Sequence, residues 1–275
     1  MNWPLLGHLA RRYSFGCAAT ALVPVLLGVM AGSLLPEYRE KFALFEKLGV
    51  MRMAQTFLRS DLIPADSATF LFQLPYVHPV SMLAMIVAMA LPTLAFPAGA
   101  RGRGTLDLLL ATRLTRESLV TTTFVFTLPF AALHAVAPFL GVWIGAGQAG
   151  VVDQLPWRAF GRVSVESFAL ALFFAGATLL LSVGGLRRMK TRGPEAAGAL
   201  GALAVLVIWS LLAEIVGTLW ERFHWLKRAT PYGWFEPPQV LAGTVNPWFD
   251  SSVLAGCGLL AATLALLVER RRATV

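Results

Sequence analysis

Residues 101–118 read RGRGTLDLLLATRLTRES, a basic, polar island between two windows, 67–100 and 118–152, that contain no Asp, Glu, Lys or Arg. Each window exceeds the roughly 20 mainly apolar residues that a spanning helix needs. Four further windows, 13–36, 167–186, 196–213 and 251–268, are also free of charge. All six are continuously apolar rather than alternating, which argues against the strands of a barrel. The expected fold is all-α: a polytopic membrane protein and a single transmembrane domain over 1–275. Its six transmembrane helices fall near 15–35, 80–98, 118–146, 165–186, 196–217 and 251–268. Composition agrees, with 57% hydrophobic and 14% charged residues, against about a quarter charged in soluble domains.

Orientation follows from Lys and Arg in the connections. The N-terminus, 99–117, 187–195 and the C-terminus hold 13 Lys+Arg and 4 Asp+Glu, whereas the other connections hold 10 and 11. Both termini and the 101–118 island are therefore expected on the cytoplasmic side. This bias also explains the basic pI, so no nucleic-acid partner is implied. Arg11-Arg12 before an apolar run has the order of an export signal, but a run of about 21 residues suits a retained span. Cys17 and Cys257 fall inside spans, with Cys17 toward the inner end and Cys257 in the outer half, a placement that suits packing residues better than a disulfide or metal site.

Three connections carry structure of their own. Residues 1–14 read as a short interfacial helix, with Trp3, Leu5, Leu6, Leu9 and Tyr13 able to share a face, or equally as a basic flank. The 36–79 segment is a long extracytoplasmic loop. Tyr38, Phe42, Phe45 and Leu48 predict an amphipathic helix there, Pro64 a break, and Asp66 or Ser67 a cap for a second apolar piece. That loop either rests on the membrane as a lid or docks an extracytoplasmic protein. The 218–250 segment, rich in Trp and Pro, predicts re-entrant or interfacial helices that serve as an aromatic belt or in gating. Small pairs within spans, Gly28 with Gly32, Gly141 with Gly145 and Gly198 with Ala202, allow close helix approach without selecting a dimer face.

Within the island, Leu106, Leu109, Leu110 and Leu114 fall at i, i+3, i+4 and i+8, one face of a helix over 106–114 about 13 Å long. Thr105 can cap it and Asp107 sits in its first turn. Gly102 and Gly104 permit a sharp turn before it. Thr115 can cap the next helix, with Glu117 in its first turn. Arg113 falls among the leucines, where it can reach a carboxylate on a partner.

Gly104-Thr105-Leu106-Asp107-Leu108-Leu109-Leu110, followed by Leu114 and Arg116, resembles the G-T-L-E-L-L-L…P-x-x-R pattern of permease subunits of the type-2 ABC exporter superfamily. The six spans, the TPYGWFEPPQVLAG stretch and the Glu269-Arg270-Arg271-Arg272 tail are similar to that family more loosely. Arg103 stands where the family usually has an acid, and Leu114 where it commonly has proline. The resemblance implies a multi-pass subunit of a bacterial cytoplasmic (inner) membrane that pairs with a second permease subunit, identical or related. It also implies that 99–117 is a coupling segment meeting a separate ABC ATPase subunit. Thr105, Leu106, Asp107, Leu109, Leu110, Arg113, Leu114, Arg116 and Glu117 would form that contact. ATP and Mg would bind the partner ATPase, with no cofactor in this chain, which has no G-x-x-x-x-G-K-[ST] loop.

His134, Glu166 and Glu214 are the polar candidates for a pathway through the spans, with His78 just before span two. Intramembrane ionisable groups are expensive and face protein or water. They either line an outer vestibule, pair with one another, as His134 with Glu214, or merely reach the interface. No metal-ligand spacing joins them, so no metal site is expected. Two rival functions stay open: a membrane-embedded enzyme using His134 and Glu214, and a membrane anchor for an extracytoplasmic partner bound through 36–79.

Overall fold

The computed structural model describes residues 2–49, 62–111, 114–184 and 195–273. All regular structure among them is helical. Six helical segments are long and apolar enough to cross a membrane: Trp3–Lys47, Ala68–Phe96, Arg116–Ala149, Trp157–Gly184, Ala197–Leu219 and Pro247–Arg272. These are spans one to six, and the architecture is that of a multi-pass membrane protein. Each span overlaps most of the window expected for it, because a long charge-free stretch satisfies its backbone in lipid only as a helix.

Span one departs from expectation at both ends. No separate helix precedes it: Trp3–Thr20 is continuous, and the helix resumes over Leu22–Lys47. The interruption at Ala21 lies one turn ahead of Pro24, whose missing N–H leaves the Thr20 carbonyl without its helical donor. Asn2 caps the start by accepting from the Leu5 N–H at 3.0 Å. Its own N–H donates to Thr122 Oγ1 of span three at 2.9 Å. Leu5 and Leu9 are buried in the main core beside Phe96, Ala100 and Leu106. This first stretch therefore packs on protein as well as on whatever surrounds the bundle. At the other end, the amphipathic helix expected within 37–59 is the unbroken continuation of span one through Pro36 to Lys47. Its Tyr38 meets Phe42, Phe45 and Phe70. Residues 50–61 lie outside the described residues. Of the two caps expected after Pro64, Ser67 is the one used, accepting from Phe70 N–H at 3.3 Å.

Spans one and three pack backbone against backbone. A methyl group at Gly28 would lie 2.2 Å from the Gly141 carbonyl carbon, and one at Gly32 would lie 2.2 Å from the Gly145 oxygen. The two glycine pairs thus face each other inside one chain, and an association with a second chain does not need them. Spans four and six run side by side in the same direction and meet the same way, at Gly176 and Gly258. Gly198 differs, with nothing within 4 Å of the position a methyl group would take.

Span two ends abruptly. Phe96 has extended backbone (φ −138°, ψ 128°) inside an otherwise helical stretch, the conformation generally favoured for a residue that precedes proline. The Ala98 N–H then donates to Ser182 Oγ of span four at 3.0 Å. One thiol, Cys17, is buried and donates to the Ala88 carbonyl at 3.4 Å, while Cys257 is exposed on span six; both are free.

Candidate functional site at the arginine-rich end

Two ends of the bundle differ in chemistry. One carries the start of span one, the 99–117 connection and the end of span six. The other carries Trp220, Trp225 and Trp248, all exposed.

At the arginine-rich end, the chain turns through Ala100–Gly102 and Gly104, whose φ of +67° is left-handed and favours glycine. Thr105, expected to cap the helix, has its hydroxyl donating back to the Ala100 carbonyl at 3.1 Å and its N–H to the same oxygen at 2.9 Å. The loop helix that follows is short, Leu106–Leu110. It ends before the expected 114. Arg113 lies outside the described residues. Thr115 caps span three as expected, accepting from Ser118 N–H at 3.1 Å, with Glu117 in the first turn.

The apolar side of this helix is turned into its own chain. Leu106 is 5% exposed within the main core, and Leu110 and Leu114 pack partly buried against it. Leu108 projects outward, at 71% exposed. Asp107 and Leu109 lie on the same five-residue helix. Periodicity alone selects a face without saying whether that face meets another protein or the home core.

Both arms of the connection are held from span six. Glu269 Oε1 accepts from Arg101 Nη2 at 2.6 Å and from Arg272 Nη1 at 3.0 Å, while Oε2 accepts from Arg116 Nη1 at 3.3 Å. Arg272 also donates to the Val183 carbonyl at the end of span four, at 2.8 Å. The carboxylate is buried, at 1% exposed, under guanidinium groups that are each about a quarter exposed or less. Arg116, expected at the rim of a partner, thus points to Glu269, and Glu117 pairs with Arg270 at 3.3 Å. Sequence reading missed Glu269 as a site residue, having taken 269–272 for a basic tail. The available signal was one acid embedded in an arginine run at a span end.

The polar candidates within the spans lie apart from this end. His134 is buried and its Nε2 lies 3.0 Å from Thr20 Oγ1. It also borders a small cavity of about 20 Å³, enough for one water, whose wall includes Tyr76, Ser81, Ser167 and Phe235. Glu214 pairs with Lys227 at 3.2 Å. The pairing of His134 with Glu214, one of the three arrangements open from sequence, is not the one seen: His134 contacts Thr20 and Glu214 pairs with Lys227. His78 caps Pro79–Thr93, its Nδ1 accepting from Val80 N–H at 3.3 Å.

Glu166 is fully buried, and neither carboxylate oxygen has a hydrogen-bond partner among the described residues. The like charges of Asp250 and Glu236, both buried, act on it. It therefore does not reach the surface as one reading expected. Asp250 is bridged by Arg228 at 3.1 Å, and that guanidinium lies over the Trp234 ring at 4.7 Å. Glu236 and Asp250 were also missed, because both look like ordinary connection charges in the sequence. Close by in the chain, burial pushes the Tyr232 phenol well above its ordinary range.

No family model, curated protein or solved structure matches the chain. Among the described residues, no group of three or more His, Cys, Asp or Glu side chains is placed to hold a metal ion. The arginine-rich end carries a short helix with Leu108 exposed, on a base held by Glu269.

Proposed function

We propose that the chain is the transmembrane permease subunit of an ATP-driven ABC exporter in a bacterial cytoplasmic membrane. It would form the substrate pathway with a second permease subunit and couple to a separate ATPase. The arginine-rich end faces the cytoplasm in this reading, by the excess of Lys and Arg there. The observation that carries the reading is the loop helix Leu106–Leu110, short, anchored at its base by Leu106 and projecting Leu108. An exposed leucine such as Leu108 is suited to a groove on a partner, where an apolar anchor in a desolvated pocket dominates affinity. The rival enzyme reading draws less support, since His134 contacts Thr20 and Glu214 pairs with Lys227.

Leu108→Asp tests this. Purified from native membranes, the wild-type chain should retain a protein that hydrolyses ATP and carries a phosphate-binding loop. Leu108→Asp should lower its retention about tenfold or more, because losing a central anchor costs about 2 kcal/mol or more. Leu48→Asp, at a residue 66% exposed at the far end of span one, should leave retention intact. ATPase retention and transport undiminished by Leu108→Asp would count against the assignment. Leu110→Asp is a poorer probe, since Leu110 also packs on the core.

A further inference from the structure

We propose that Glu269 is a positioning residue that locks the loop helix to the inner ends of spans four and six, so that the three move as one body. Spans two and three join the loop by covalent connection, and a displaced loop helix would pull on them in any fold. Nothing in the connectivity ties the loop to span six, whose end lies far away in sequence. The tie is made by side chains alone.

Its geometry is specific. Arg101 precedes the loop helix and Arg116 follows it, and the two guanidinium groups bind different oxygens of one carboxylate. A displacement of either arm therefore strains a bond to the same group. Arg272 shares Oε1 with Arg101 and extends the link to the Val183 carbonyl. Guanidinium donors are planar and fixed in direction, so they transmit position where an ammonium would swivel. At 1% exposure the carboxylate has no solvent to exchange for its partners. The outlying pair of Arg270 with Glu117 is exposed on both sides and adds little constraint. Spans four and six also share the close Gly176–Gly258 contact. Motion entering at Glu269 therefore reaches a pair of helices already packed as a unit. Its use in coupling rests on the permease reading, whereas the lock itself does not.

The experiment measures the lock in the full chain alone, in lipid nanodiscs. With Cys257→Ser as background, nitroxides are placed at Leu108→Cys and Leu267→Cys, two exposed positions. Pulsed electron resonance then gives their distance distribution. The lock predicts a narrow distribution that broadens at least twofold in Glu269→Gln and stays narrow in Arg270→Gln. Because Glu269→Gln leaves three guanidinium groups uncompensated, a charge-balanced companion, Glu269→Gln with Arg116→Gln, is measured beside it. It should broaden the distribution while melting like the wild type. An unchanged width in the companion overturns the proposal. Amide exchange in the wild-type chain decides the matter if either variant fails to fold. Amides of 103–105 and 266–272 should open with one common constant, and loop amides that open tenfold more readily than the span-six end overturn it. None of these readings requires an ATPase, so the lock and the permease assignment fail separately.

Discussion

Gly32→Leu is expected to abolish the folded bundle, leaving no monodisperse protein after detergent extraction. The position has no room for a side chain, since a methyl group there would lie 2.2 Å from the Gly145 oxygen and 2.5 Å from its Cα. These obstructing atoms are backbone, held by the regular hydrogen bonding of span three, and cannot rotate away as a side chain would. Ordinary overpacking costs about 1–3 kcal/mol, relieved by shifts of neighbouring side chains. Here the relief must come from parting two helices along the whole seam that also contains Gly28 and Gly141. The cost should therefore exceed that range. Gly28→Leu should behave alike, and Gly258→Leu should do the same at the contact of spans four and six. Gly198→Leu is the comparison that isolates the cause. It makes the same substitution in a span where nothing lies within 4 Å, and it should be tolerated. A Gly32→Leu protein that extracts and melts as the wild type would show that spans one and three do not meet as described.

Glu166→Leu should raise the melting temperature, the opposite of what removing a buried glutamate does at Glu269. Glu166 is wholly enclosed with both oxygens unpartnered among the described residues, and Asp250 and Glu236 add like charge. A buried polar group without a partner costs about 1–3 kcal/mol, more if charged, and leucine of similar length releases that cost. The expected gain is thus about 1–3 kcal/mol, read as a shift in thermal unfolding in nanodiscs. Glu269 contrasts in every respect: three guanidinium groups bind it, and breaking a buried pair by removing one partner costs about 3–5 kcal/mol. A Glu166→Leu protein that melts lower than the wild type would mean the carboxyl has a stabilising partner. Natural proteins keep destabilising groups chiefly where function opposes stability, so Glu166 is the buried carboxyl to examine first in any functional assay.

The sequence makes the number and placement of the spans legible because charge-free windows and caps have local causes, whereas the full lengths of spans one and two are not legible. Charge-free windows mark all six spans. Thr115, Ser67 and Gly104 are visible as caps and a turn because each acts on residues within a few positions of itself. Pro24 and Pro97 likewise act locally, although their breaks at Ala21 and Phe96 were not anticipated. Partnerships across the bundle have no such signal. The glycines of spans one and three show in each span as small residues at helical spacing, yet nothing local says they face one another. The link from Glu269 to Arg101 and Arg116 joins residues more than 150 positions apart. Pairing His134 with Glu214 failed for a related reason. Depth in the bilayer can be guessed from sequence, but rotation about the helix axis decides which neighbour a side chain meets. The same ambiguity hid the orientation of the loop helix, whose leucine stripe fits a home core as well as a foreign groove.

The contrast between the two thiols makes the chain its own labelling reagent. A lipophilic maleimide should reach Cys257 on the outside of span six and miss Cys17, which is shut in against the Ala88 carbonyl. A fluorophore or spin probe can thus be installed on the unmutated protein at one site. It would sit on the helix that runs toward Glu269 at one end and begins beside Asp250 at the other.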